Sequence, residues 1–167
     1  MSGFIENRSS EASEYSGAPS RMLTWHASRA MLPLVGQIAQ EIARVHERLV
    51  MVRPELADLE RRRRDLGWPE RARRYRLEEE IAKLDLEFRA VVAELEGLGV
   101  ALLDPVTGLV GFPTVVNDRR AFFTWKPGEE SLTTWSYAGD LQRRPVPSEW
   151  METVREVRVR RPRTRKK

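Results

Sequence analysis

The 167 residues contain no cysteine. Disulfides, thiolate metal sites and cysteine nucleophiles are excluded, and the composition suits a reducing cytoplasm, where the protein is expected to reside. Histidine is almost as scarce: His26 and His46 leave little for an imidazole-based metal site, and no metal is expected. No run approaches the ~18 apolar residues of a membrane span, so no membrane is expected as a partner. The first 20 residues hold six serines and four charged side chains without an apolar stretch, which reads as a solvated arm rather than a secretory signal. Phosphate-cradling glycine loops, nucleophile elbows and zinc spacings are missing too. No catalytic residue and no cofactor is assigned, and the reading leans away from an enzyme.

What the sequence does have is a heptad rhythm, twice. Met31, Val35, Ile38, Ile42, Val45, Leu49, Val52, Leu56 and Leu59 alternate spacings of four and three, as do Leu77, Ile81, Leu84, Phe88, Val91, Leu95 and Leu98. A 3.5-residue apolar period predicts two helices packed along a coiled-coil-like seam, and the short segment between them forces an antiparallel hairpin. Thr24 is placed to cap the first helix, with Ala27 where a full capping box needs Glu or Gln. Pro33 and Pro54 interrupt that helix, and a bend is expected at Pro54. Pro69 suits the first turn of the second helix, and Gly97 or Gly99 its end.

A second apolar stripe is confined to one end of the hairpin. Leu32, Leu34, Ala39 and Ala43 lie near the start of the first helix, and Leu86, Ala90, Val92 and Ala93 near the finish of the second. These ends are neighbours in an antiparallel pair, so the base has an extra face to bury. Val100–Leu103, Leu109–Val116, Ala121–Lys126 and Ser131–Tyr137 are β-branched and aromatic, with turns at 104–108, Asn117-Asp118 and Pro127-Gly128. The predicted fold is therefore α+β: a long antiparallel helical hairpin with a small antiparallel β-meander packed at its base. Pro113 marks an edge or a bulge in its strand. The expected organisation is an arm at 1–20, one domain at 21–147 with hairpin 24–98 and meander 100–137, and a short helix with a basic tail at 148–167.

Charge is unevenly distributed. Residues 61–76 carry eight basic and two acidic side chains, and residues 151–167 carry the same counts. Arg61, Arg62, Arg63, Arg64, Arg71, Arg73, Arg74 and Arg76, with Trp68 among them, crowd the hairpin tip. Phosphate recognition needs converging cations held away from acidic surface, so the tip is a candidate contact for RNA or DNA, with Trp68 stacking on a base or pinning the turn. The competing reading is a solvated tip whose arginines pair with Glu60, Asp65 and Glu70. Arg160, Arg161, Arg163, Arg165, Lys166 and Lys167 form a tail that either binds nucleic acid without sequence preference or simply solubilises the chain. Glu78, Glu79 and Glu80 are read as helical ion-pair partners of Arg73, Arg74 and Arg76.

Phe123, Trp125, Trp135 and Tyr137 form an aromatic strand face, a stacking platform or, as is commoner in a small protein, core. A ligand crevice involving Trp125, Trp135 and Arg143, between sheet and hairpin base, is a further candidate.

Several segments together resemble a known family. These are Leu23-Thr24 with Leu32-Pro33-Leu34-Val35, then Leu98-Gly99-Val100 with Gly108-Leu109-Val110-Gly111-Phe112-Pro113. Thr124-Trp125-Lys126-Pro127-Gly128-Glu129 with Thr134-Trp135 follows, and Gly139 with Arg143-Arg144-Pro145-Val146 ends the series. In that order they resemble the bacterial and archaeal domain of unknown function 2203 over about residues 21–146. The resemblance implies the architecture and transfers no activity. It also implies an Asp where this chain has Gly111 and a His where it has Ser136, so a polar pair at those positions is not available here. The function expected from these features is a non-enzymatic interaction module whose basic tip and tail contact an acidic partner such as RNA or DNA, with the second stripe a candidate homodimer contact. The alternatives are a structural or protein-binding coiled-coil adaptor, and a small-ligand binder or enzyme using the crevice.

Overall fold

A computed structural model of the chain describes residues 21–140 and 142–152. The first helix, α1, runs Trp25–Arg61 without interruption through Pro33 and Pro54. Its N-cap is Thr24, whose hydroxyl accepts the Ala27 N–H at 3.2 Å. The second, α2, spans Trp68–Gly97, one residue longer at its start than Pro69 alone indicates. Glu70 reaches back to accept the Gly67 N–H at 3.0 Å, which satisfies one of the orphan donors of that end. The other end closes in a Schellman motif. Gly99, at φ +77, donates to Glu96 O at 2.8 Å, and Val100 donates to Leu95 O at 3.3 Å.

The heptad residues become the seam. Val35, Ile38, Ile42, Val45, Leu49, Val52 and Leu59 of α1 are buried, and so are Leu77, Leu84 and Leu95 of α2. The antiparallel sense shows in the cross-helix ion pairs, whose numbers run in opposite directions: Arg44–Glu87, Arg48–Glu80 and Glu55–Arg73. Leu66, buried in the connecting turn, closes the seam at the tip.

The sheet is an antiparallel meander of five strands in chain order: β1 Ala101–Asp104, β2 Leu109–Val116, β3 Arg119–Trp125, β4 Thr134–Tyr137 and β5 Arg144–Pro145. Asn117 and Asp118, both at positive φ, make the two-residue turn that right-handed strand twist favours between β2 and β3. Strand β5 was not anticipated: two residues, one of them proline, carry too little pattern to be read as a strand. Pro113 stands at a local edge. Strand β1 begins opposite Gly111 and does not reach Pro113, whose O accepts the Leu23 N–H at 2.7 Å, so the missing N–H breaks no ladder bond.

Val110, Phe112, Ala121, Phe123, Trp125 and Trp135 share the inner face of the sheet and pack on the hairpin base. There they meet Trp25, Val35, Ile38, Ala39, Ile42 and Leu95. Trp25 fixes the β3–β4 connection by donating from Nε1 to Leu132 O at 2.8 Å. Of the second stripe, Ala39 is buried and Leu32 and Val92 pack against this core, while Leu34 and Leu86 stay exposed. A short helix, α3, at Ser148–Glu152 brings Trp150 beside Trp135, ring centroids 5.4 Å apart. Expectations for the arm at 1–20, for the short helix beyond Glu152 and for the basic tail fall outside the described residues.

Candidate nucleic-acid interface at the hairpin tip

The tip arginines divide into two groups. In the first, each guanidinium has a carboxylate. Arg61 and Arg62 share Asp58, both at 3.0 Å, and Arg62 also reaches Glu70 at 3.2 Å. Arg73 forms a bidentate pair with Glu55 at 2.7 and 2.8 Å. Arg74 is a correction to the sequence reading, because it is not a surface cation. It is 8% exposed and occupies a seam position, three residues before Leu77. Glu60 at 2.6 Å and Glu78 at 2.9 Å neutralise it. The Arg74 hydrogen bond holds the Glu60 carboxyl below its ordinary pKa range, and Arg73 does the same for Glu55.

In the second group no cation forms a close ion pair among the described residues, although Arg63 helps to lower the Glu60 pKa through its charge. Arg63 and Arg64 sit exposed in the turn, with Asp65 accepting from neither. Arg71 donates from Nε to Leu66 O at 2.9 Å, and Arg76 from Nε to Ala72 O at 3.4 Å. Both therefore keep their terminal nitrogens. Trp68 does not pin the turn, since it is 80% exposed and Leu66 fills that role. Counted with the acidic residues that reach it, the span 55–78 holds eight arginines and six carboxylates, a much smaller excess than residues 61–76 suggest alone. Glu78 pairs with Arg74 as the spacing indicates, but Glu80 crosses to Arg48.

The candidate crevice residues do not converge. Side chains alternate along a strand, and Trp125 and Trp135 point inward with Phe123. Arg143 lies against the outer face, where Nε donates to Thr124 Oγ1 at 3.1 Å and the terminal nitrogens clamp Glu129 at 2.7 and 2.8 Å. Burial pushes the Glu129 carboxyl up, but Arg143 and the Lys126 N–H outweigh it and hold it below the usual range. Trp125 Nε1 donates to Glu129 O at 2.9 Å, so the two residues brace one loop from opposite faces. The aromatic face is core: Phe123, Trp125 and Trp135 are buried, and Tyr137 is half-buried beneath Arg119, 4.2 Å from its ring centroid.

The outer face also accounts for a departure noted in the sequence. A Cβ on Gly111 would lie 2.9 Å from Leu103 Cδ1 and from two Phe122 ring atoms. Ser136 pairs with Phe122 across β3–β4. Phe122 therefore occupies the ground between positions 111 and 136, and an Asp at 111 would have to displace it.

Among the described residues no group of three or more His, Asp or Glu side chains is placed to hold a metal ion, and no helix is long and apolar enough to cross a membrane. The candidate tail residues Arg160, Arg161, Arg163, Arg165, Lys166 and Lys167 lie outside the described residues. No curated protein and no solved structure matches the chain. The family of uncharacterized conserved proteins designated domain of unknown function 2203 matches residues 21–146, which take in both long helices and the whole sheet. The chain belongs to that family.

Proposed function

We propose that this protein is a non-enzymatic interaction module whose hairpin tip, with the basic tail, contacts the phosphate backbone of a nucleic acid. The observation that carries the reading is the second arginine group. Arg63, Arg64, Arg71 and Arg76 form no ion pair among the described residues, although Arg63 feels the field of Glu60, and in the sequence they lie on either side of an exposed Trp68. An arginine already clamped by its own glutamate offers a phosphate little, whereas an exposed and unpaired one exchanges condensed counterions for itself. The hairpin places this group some tens of ångströms from the sheet, since a 30-residue helix spans about 45 Å.

The test is binding of the full chain to labelled RNA and DNA, by fluorescence anisotropy across a salt series. The expected result is affinity that falls linearly with salt on logarithmic axes. In R63E/R64E binding should weaken and the slope should become shallower by about one for each lost phosphate contact. Absence of binding at low salt, or a flat salt response, contradicts the reading.

A second reading, a protein-binding adaptor or homodimer, has its own support in Val50, Met51 and Leu86, which stand exposed on the hairpin shaft. Light scattering separates the two. A defined oligomer dissociated by Met51→Lys or Leu86→Lys supports the adaptor, and a monomer that still binds RNA supports the tip.

A further inference from the structure

Taking the nucleic-acid reading of the tip as its premise, we infer that the partner is a single strand, held on an aromatic stripe along the first two turns of α2. Trp68, Ala72 and Tyr75 follow spacings of four and three and so share one helix face, directed away from the seam at Leu77. Trp68 is 80% and Tyr75 59% exposed, unusual for large aromatics. The small Ala72 between them leaves clearance.

The Tyr75 ring is preset. The Arg74 guanidinium lies 4.6 Å from its centroid and is itself fixed by Glu60 and Glu78. One side of the ring thus rests on a cation held by two carboxylates while the rest stays open. On the helical wheel Arg71 and Arg76 flank the stripe on either side. Each is anchored through Nε to a backbone carbonyl, which leaves its terminal nitrogens for phosphate. The next position in the stripe is the exposed Glu79, whose charge repels phosphate and ends the footprint.

Trp68 and Tyr75 are seven residues apart, about 10.5 Å along the axis, which matches about three nucleotides at the stacked spacing of one strand. In a duplex the base faces are already stacked on one another, so a helix meets phosphates and groove edges but no free base face on which the two rings could stack. An unpaired strand can splay its bases onto them. The geometry therefore assigns single-stranded segments, or loops of folded RNA, as the ligand class.

The experiment compares the full chain with W68A, Y75A and W68F, using uridine and thymidine homo-oligonucleotides and a duplex of equal length at matched salt. Preference for the single strands by at least about tenfold is expected. W68A and Y75A should each lower single-strand affinity about 5- to 150-fold without changing the salt slope, while W68F retains most of it. A deoxyuridine homo-oligonucleotide, which differs from the uridine one only in the 2′-hydroxyl, decides between RNA and DNA. Equal affinity for the duplex overturns the inference, as do unchanged affinities in W68A and Y75A; if R63E/R64E still weakens binding, the phosphate contact survives alone. No binding at low salt removes both. A dimer that W68A dissociates also overturns the inference, because Trp68 then serves a second copy.

Discussion

The two ends of the hairpin share one seam and are built in opposite ways. At the base, Val35, Ile38, Ile42 and Leu95 extend their burial outward into a sheet, and Trp25, Phe112, Phe123, Trp125 and Trp135 complete the core there. At the tip the seam stands alone. It closes on Leu66 and takes in a charged side chain, Arg74, where an apolar one would be expected. The base gathers large side chains into one core. The tip exposes a tryptophan, a tyrosine and four arginines that form no close ion pair among the described residues. A helix pair therefore gains stability where its helices have more than one face to bury, and is free to carry other chemistry where they do not.

Substitutions can break this contrast, and their effects should fall steeply from base to tip. Phe112→Ala removes a fully buried ring from the base core. It should cost about 3–5 kcal/mol, read from denaturant or thermal unfolding. A loss under 1 kcal/mol would mean that the base does not carry the fold. Gly111→Asp forces a side chain against Leu103 and Phe122 and should cost about 1–3 kcal/mol. Adding Phe122→Ala should recover part of that cost, and a double mutant no more stable than the single would show that the clash is not with Phe122.

The buried charge at the tip gives an asymmetric test. Removing both Glu60 and Glu78 strands Arg74 in the seam and should cost about 1–3 kcal/mol. Arg74→Met leaves two half-exposed glutamates that water can serve, and should be nearly neutral or stabilising. The reverse order would mean that Arg74 contributes attraction rather than tolerated burial. Acid should loosen the β3–β4 loop. Glu129 has its pKa lowered in the fold, so its pairing with Arg143 contributes fully above the ordinary carboxylate value of about 4.3 and is lost as pH falls below that through the folded value. Near-ultraviolet circular dichroism of the tryptophans should report this, and Glu129→Gln should remove the pH dependence. Trp68→Ala should change stability least, within about 0.5 kcal/mol, because the ring is exposed. A larger loss would place Trp68 in the structure and not at a contact surface.

How much of this was legible in the sequence follows the same division. The seam was readable because a 3.5-residue rhythm survives wherever apolar side chains mark it, and the meander because Asn117-Asp118 and Pro127-Gly128 punctuate its strands. Arg74 was misread as a surface cation, although stepping back three residues from Leu77 puts it in the seam; its charge hid a position that the spacing gave away. Arg44–Glu87, Arg48–Glu80 and Arg53–Asp85 could not be read, since they depend on how the two helices register against each other. The opposition of Trp135 and Arg143 across the sheet follows from strand alternation, but only once Arg143 is known to lie on Thr124. The pairing of half the tip arginines was among the alternatives, with Glu60 and Glu70 rightly named and Asp65 not.

The claim that the base holds the fold while the tip makes the contact is tested most directly by amide hydrogen exchange of the full chain, with and without a uridine oligonucleotide at low salt. The account predicts added protection across residues 61–76, with exchange at residues 35–45 and in the paired strands β2 and β3 unchanged by ligand and slowest throughout. Protection appearing on the sheet while the tip stays unaltered would contradict it.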